Sequence, residues 1–121
     1  NWLLPIKEFL KLHPEVAMVQ PKIKDLANPD HFEYAGAAGG YLDIMGLPYC
    51  RGRVGSKCEK DKGQYDNNMQ VTWASGACLV VRKSVFDALN GFDASFFMHF
   101  EEIDLCPLFF HIYYHFRHNN F

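Results

Sequence analysis

With 121 residues, a net charge of −2 and a pI near 6.3, the chain has room for at most one domain. It has no long basic run, so nucleic acid is not favoured as a partner. Hydrophobic residues make up 49% and aromatic residues 16%, with eleven phenylalanines. This exceeds what one small core needs and points to a large buried surface or a covering partner. No apolar run is long enough to span a bilayer, and Pro5, Lys7 and Glu8 interrupt any signal-peptide pattern. Cys50, Cys58, Cys78 and Cys106 contain no Cys-x-x-Cys pair, and two of them sit in apolar runs where a thiol simply packs. The expected compartment is reducing and cytoplasmic, with the inner membrane face as a peripheral station.

Taken in order, Trp2, Ile6, Phe9 and Leu10 recur at helical spacing, and His13-Pro14 ends that helix. Residues 16–23 read as a short apolar strand. Residues 32–41 hold a glycine-rich loop that fits neither a P-loop nor a G-x-G-x-x-G fingerprint, and a close-packed turn or hairpin is the better reading. From Asp43 to Gly63 the pattern predicts an extended surface excursion, with Arg51 and Arg53 flanking Gly52. Residues 61–66 form a turn leading to one strand that starts at Gln70 and takes its apolar character from Val71, Leu79, Val80 and Val81. Ser84 is the expected N-cap of a short helix carrying Val85, Phe86 and Leu89, which Asn90-Gly91 stops. Glu101, Glu102 and Asp104 cluster at the expected start of a last helix, where the helix dipole favours anions.

From Trp73 to Cys106 these pieces follow one another closely. They are Gly76-Ala77 on a strand, Gly91-Phe92-Asp93, Phe96-Phe97, and Glu101-Glu102-Ile103-Asp104-Leu105. In that order the block resembles the C-terminal half of the catalytic domain of family 2 glycosyltransferases. The resemblance implies an α/β fold: part of a GT-A-like mixed sheet flanked by helices, with the N-terminal nucleotide-binding half missing. It assigns residues 1–106 to the acceptor-side half of that domain and leaves 107–121 as a divergent aromatic and His-rich tail, where Pro107 interrupts the family's helix. It places residues 43–63 over the cleft. The chemistry it implies is sugar transfer, with inversion, from a nucleotide-sugar donor to a saccharide or lipid-linked acceptor. Glu102 would be the base, and Glu101 and Asp104 would hold the acceptor or the helix start. A divalent Mg or Mn ion is implied too, on an Asp-x-Asp motif that this sequence does not contain. The 121-residue chain is therefore expected to be inactive by itself.

Each residue has a plainer reading beside the functional one. Three acids at a helix start are ordinary dipole complements. Gly76 and Ala77 let a backbone approach a sugar or pyrophosphate, or let a strand pack closely on a helix. Trp73 suits either a sugar ring or a buried strand start. His99 could adjust the protonation of the acids or be a structural histidine. His111, His115 and His118 share one helical face and suggest a small metal-binding module, but no Glu or Cys stands at ligand spacing and no metal site is assigned. A non-catalytic remnant of the same fold is the other alternative. A domain half is also expected to self-associate through an exposed sheet edge.

Overall fold

The computed structural model describes residues 1–95 and 101–106, and the backbone of 112–114. Helix α1 spans Leu3–Leu12, and strands β1 to β7 follow at Met18–Gln20, Gly40–Leu42, Pro48–Cys50, Arg53–Val54, Lys57–Cys58, Met69–Gln70 and Val80–Val81. Helices α2 (Lys83–Ala88) and α3 (Glu101–Leu105) and strand β8 (Ile112–Tyr114) complete the described elements. The chain is thus mixed α/β. Its main sheet has the order β6-β8-β1-β7, with β1 parallel to β8 and the other pairs antiparallel. Two small hairpins, β2-β3 and β4-β5, stand apart from it.

Strand β1 organises the packing because its side chains alternate between two cores. Val19 joins Ile6, Phe9 and Val16 beneath α1. Met18 faces the larger core, which includes Phe32, Ala37, Val71, Trp73, Ala74, Leu105 and Cys106. The helical spacing read from the sequence accounts for α1: Ile6 and Phe9 are its buried residues, each stabilising the fold by roughly 1.5–3 kcal/mol. Its last carbonyls lack intrahelical partners, and Arg82 supplies two. One guanidinium nitrogen donates to Leu10 O and His13 O, and Nε donates to Val16 O at 2.6 Å. A single side chain therefore ties the end of α1 and the approach to β1 to the end of β7.

Two expectations are corrected. Ser84 is not the N-cap of α2: the cap is Arg82, in extended conformation and without a side-chain cap bond. The cause is the sheet. Arg82 N–H donates to Ala17 O, which holds the chain extended up to that residue, and the Val85 and Phe86 amides donate back to Arg82 O. The stop at Asn90-Gly91 forms as expected, with both residues at positive φ and Gly91 N–H donating to Phe86 O at 2.9 Å.

The second correction concerns the strand expected from Gln70 through Val81. The chain forms strands only at Met69–Gln70 and again at Val80–Val81, and Gly76-Ala77 lie in a turn between them, where Ser75 N–H donates to the Gln20 side chain and not to a neighbouring strand. Residues 43–63 are largely exposed, as expected, but they are rooted at two places. Cys50 and Gly52 are buried within this stretch, and Lys22, whose side chain is 2% exposed, reaches from the core to Asp61 and Asp66. Gly40 shows how tightly the loop before it is packed. A Cβ there would lie 2.3 Å from the Trp73 ring and 2.4 Å from Tyr49 O, so only glycine fits. The glycine-rich stretch is the packed turn that the sequence favoured. Among the described residues no helix is long and apolar enough to cross a membrane.

Candidate active site

The acidic cluster and the small-residue turn meet. Helix α3 buries its C-terminal end, with Leu105 and Cys106 in the core. Ala74 N–H donates to Cys106 Sγ at 3.4 Å, and the thiol lies 3.9 Å from Met18 Sδ. Burial pushes that thiol up to about 11, against a smaller opposing effect of the Ala74 amide, with the nearby Glu102 charge adding to the rise. Cys106 is therefore an anchor, not a nucleophile. With its far end fixed, α3 brings Glu102 to the exposed turn at Gly76-Ala77. Glu102 Oε1 accepts a long hydrogen bond, 3.5 Å, from the Gly76 amide. A Cβ on residue 76 would sit 3.6 Å from the Glu102 carboxyl carbon. The carboxylate therefore lies over a stretch of backbone that carries no side chain at residue 76.

What holds that backbone is a network that the sequence reading missed. Gln20 is fully buried at the end of β1. Its Oε1 accepts from Ser75 N–H at 2.6 Å, and its amide nitrogen donates to Gly36 O at 2.8 Å. The Ser75 hydroxyl donates to Ala35 O and accepts from Ala77 N–H. The glycine-rich loop and the turn facing Glu102 are thus pinned to each other through β1. The available signal was a lone polar residue ending the apolar run from Val16 to Val19; a buried polar group of that kind needs partners.

The other residues singled out from the sequence fall in different places. Glu101 is half-buried at the first position of α3, and Asp104 is exposed. Trp73 is 6% exposed, with its indole N–H donating to Tyr41 O at 3.1 Å, so it packs beneath the site and offers no sugar platform. Ala77 flanks Gly76 and lies 3.5 Å from where a Cβ on Gly36 would be. His99, His111, His115 and His118 lie outside the described residues. Among the described residues no group of three His, Cys, Asp or Glu side chains could hold a metal ion. Among the described residues the donors around Glu102 do not fit a resident divalent ion.

A carboxylate beside an exposed, side-chain-free turn has the means to take a proton from a hydroxyl group laid across that turn. No family model matches the chain, and no solved structure matches it. It is 30% identical over 99 residues to an N-acetylglucosaminyl-diphospho-decaprenol L-rhamnosyltransferase of Mycobacterium tuberculosis, covering 76% of this chain and 31% of that protein. It is 50% identical over 36 residues to the rhamnosyltransferase WbbL of Escherichia coli K12, covering 30% of this chain and 14% of that one. The chain therefore spans less than a third of the length of the curated relatives it matches. The chain is thus similar over about three-quarters of its length to one protein named as a rhamnosyltransferase, and over a shorter stretch to a second.

Proposed function

We propose that the chain is the acceptor-side part of a family 2, GT-A-type glycosyltransferase. The whole protein would move a deoxyhexose such as rhamnose from a nucleotide donor to a lipid-linked glycan in the cytoplasm. The observation that carries this reading is the seating of the Glu102 carboxylate on the Gly76 amide, opposite a turn free of bulk. In the proposed step an acceptor hydroxyl lies over Gly76-Ala77. Its proton passes to Glu102 as its oxygen bonds to the anomeric carbon. The bond from that carbon to the diphosphate breaks on the far side and the nucleoside diphosphate leaves, so the sugar is inverted. Gln20 and Ser75 keep the turn in place, and Glu101 and Asp104 border the acceptor. The divalent cation of such enzymes stabilises the leaving diphosphate; its ligands would lie in a part of the protein outside these 121 residues.

The test is transfer itself. The longer protein that contains this chain is offered radiolabelled nucleotide-rhamnose and a polyprenyl-diphospho-N-acetylglucosamine acceptor. The reading predicts label in the lipid fraction with the longer protein and none with the 121-residue chain. No transfer from any nucleotide deoxyhexose or hexose would contradict it.

A further inference from the structure

The hairpin from β2 to β3 ends in a tip that is apolar yet firmly built. Ile44 is 104% exposed, Met45 79%, Leu47 59% and Tyr49 53%. Asp43 fixes their backbone: its Oδ1 accepts from the Met45 and Leu47 amides at 2.8 and 2.9 Å. Its own N–H donates to Leu47 O, and Gly46 N–H donates to Asp43 O. The base of the hairpin is rooted in the core through Cys50 and through the bridge from Gly40 to Trp73. A tip of this kind holds three large aliphatic side chains out in water by design of its turn, and a contiguous apolar patch of that sort marks an interaction surface.

Charge decides between occupants. Residues 40–58, which form both hairpins, hold Arg51, Arg53 and Lys57 against a single acid, in a chain whose net charge is −2. That acid is Asp43, whose carboxylate is already engaged by the turn. The second hairpin repeats the pattern, with exposed Val54 paired across from exposed Lys57. Two hairpins that carry exposed apolar residues and an excess of cations, on an otherwise acidic chain, complement an anionic lipid surface. A second copy meeting them hairpin to hairpin would bring the same cations to the contact. We infer that the β2–β3 tip seats the protein on an anionic membrane surface. Ile44, Met45 and Leu47 enter the interfacial layer, Tyr49 lies at headgroup depth, and Arg53 and Lys57 face the phosphates. This rests on the lipid-linked acceptor proposed above, since such a seat would bring the Glu102 site to a substrate that does not leave the bilayer.

The experiment is co-flotation with vesicles, run on the 121-residue chain and on the longer protein that contains it. Vesicles are pure phosphatidylcholine, or phosphatidylcholine with phosphatidylglycerol. The variants are Ile44→Ser/Met45→Ser/Leu47→Ser and Arg53→Gln/Lys57→Gln; circular dichroism checks that the fold is kept. The expected result is binding to anionic vesicles by both proteins, weakened at least ~10-fold by the tip substitutions and reduced toward the neutral-vesicle level by the charge substitutions. Three outcomes overturn the proposal. They are no binding of the wild type, binding that ignores the tip substitutions, and tip dependence lost in the longer protein, which would show another segment covering the tip. Vesicle binding needs no catalysis, so its failure is told apart from failure of the transferase reading: a longer protein that floats but transfers no sugar counts against the activity alone.

Discussion

Replacing Gln20 with leucine tests whether the buried amide holds the site together. The two side chains have similar volume, and Gln20 is fully buried, so the change removes hydrogen bonds without opening a cavity. The Ser75 amide loses its acceptor at 2.6 Å, and an orphaned buried N–H costs about 1–3 kcal/mol. Gly36 O loses the Gln20 amide but still accepts from Gly39 N–H at 3.2 Å, so only the net worth of one hydrogen bond goes with it, about 0.5–1.5 kcal/mol. The added apolar burial returns roughly 1 kcal/mol. The expected net loss is therefore about 1–3 kcal/mol, read from urea unfolding at low protein concentration. Gln20→Glu adds a pH axis. Its carboxyl, desolvated at this site, has a folded pKa above the unfolded value of about 4.3. As a protonated acid it can both donate to Gly36 O and accept from Ser75. Relative to wild type, its stability is greatest below about pH 4.3 and falls as pH rises from there to the raised folded value. A Gln20→Leu protein as stable as wild type, or a Gln20→Glu deficit that does not change with pH, would refute the network argument.

Further outcomes follow from other contacts. Arg82→Met leaves the carbonyls of Leu10, His13 and Val16 without their shared donor, and a loss of about 2–4 kcal/mol is expected in the same unfolding assay; Arg82→Lys should recover part of it. Burial pushes the Asp61 carboxyl up, but hydrogen bonds from Lys22, the Gly63 amide and Lys24 outweigh this and hold it below the ordinary value. Its contribution is therefore present above about pH 3.9 and lost as pH falls through the lower folded value. The stability gap between wild type and Asp61→Asn should be full at pH 7 and close in acid. Among the described strands β6 and β7 are the outermost of the main sheet, and sheet edges seek partners, so sedimentation velocity of the 121-residue chain should show mass rising with concentration. A monomer at every concentration would contradict that.

Much of the fold was legible because local chemistry decided it. The apolar spacing of α1, the Pro14 stop, the short strands at 18–20 and 80–81, and the Asn90-Gly91 stop all follow from neighbours in the chain. What the sequence hid was set by distant partners. The start of α2 moved because Arg82 is held extended by Ala17, 65 residues earlier. The largely exposed stretch 43–63 is tied back to the core at Cys50 and Gly52, and at its end by Lys22, which pairs with Asp61 and Asp66 across about 40 residues of chain. In the site, Glu102 and Gly76 were singled out separately, but their meeting and the part of Gln20 depend on contacts between distant residues that no local pattern announces.

The proposed chemistry turns on one oxygen pair, so the most direct measurement is kcat for sugar transfer by the longer protein carrying Glu102→Gln, set beside Glu101→Gln. Glutamine keeps the shape at the Gly76 amide and removes the proton acceptor. The account predicts that Glu102→Gln lowers kcat by about 10²–10⁴-fold with donor KM little changed, while Glu101→Gln stays much closer to wild type. An active Glu102→Gln beside an inactive Glu101→Gln would contradict it.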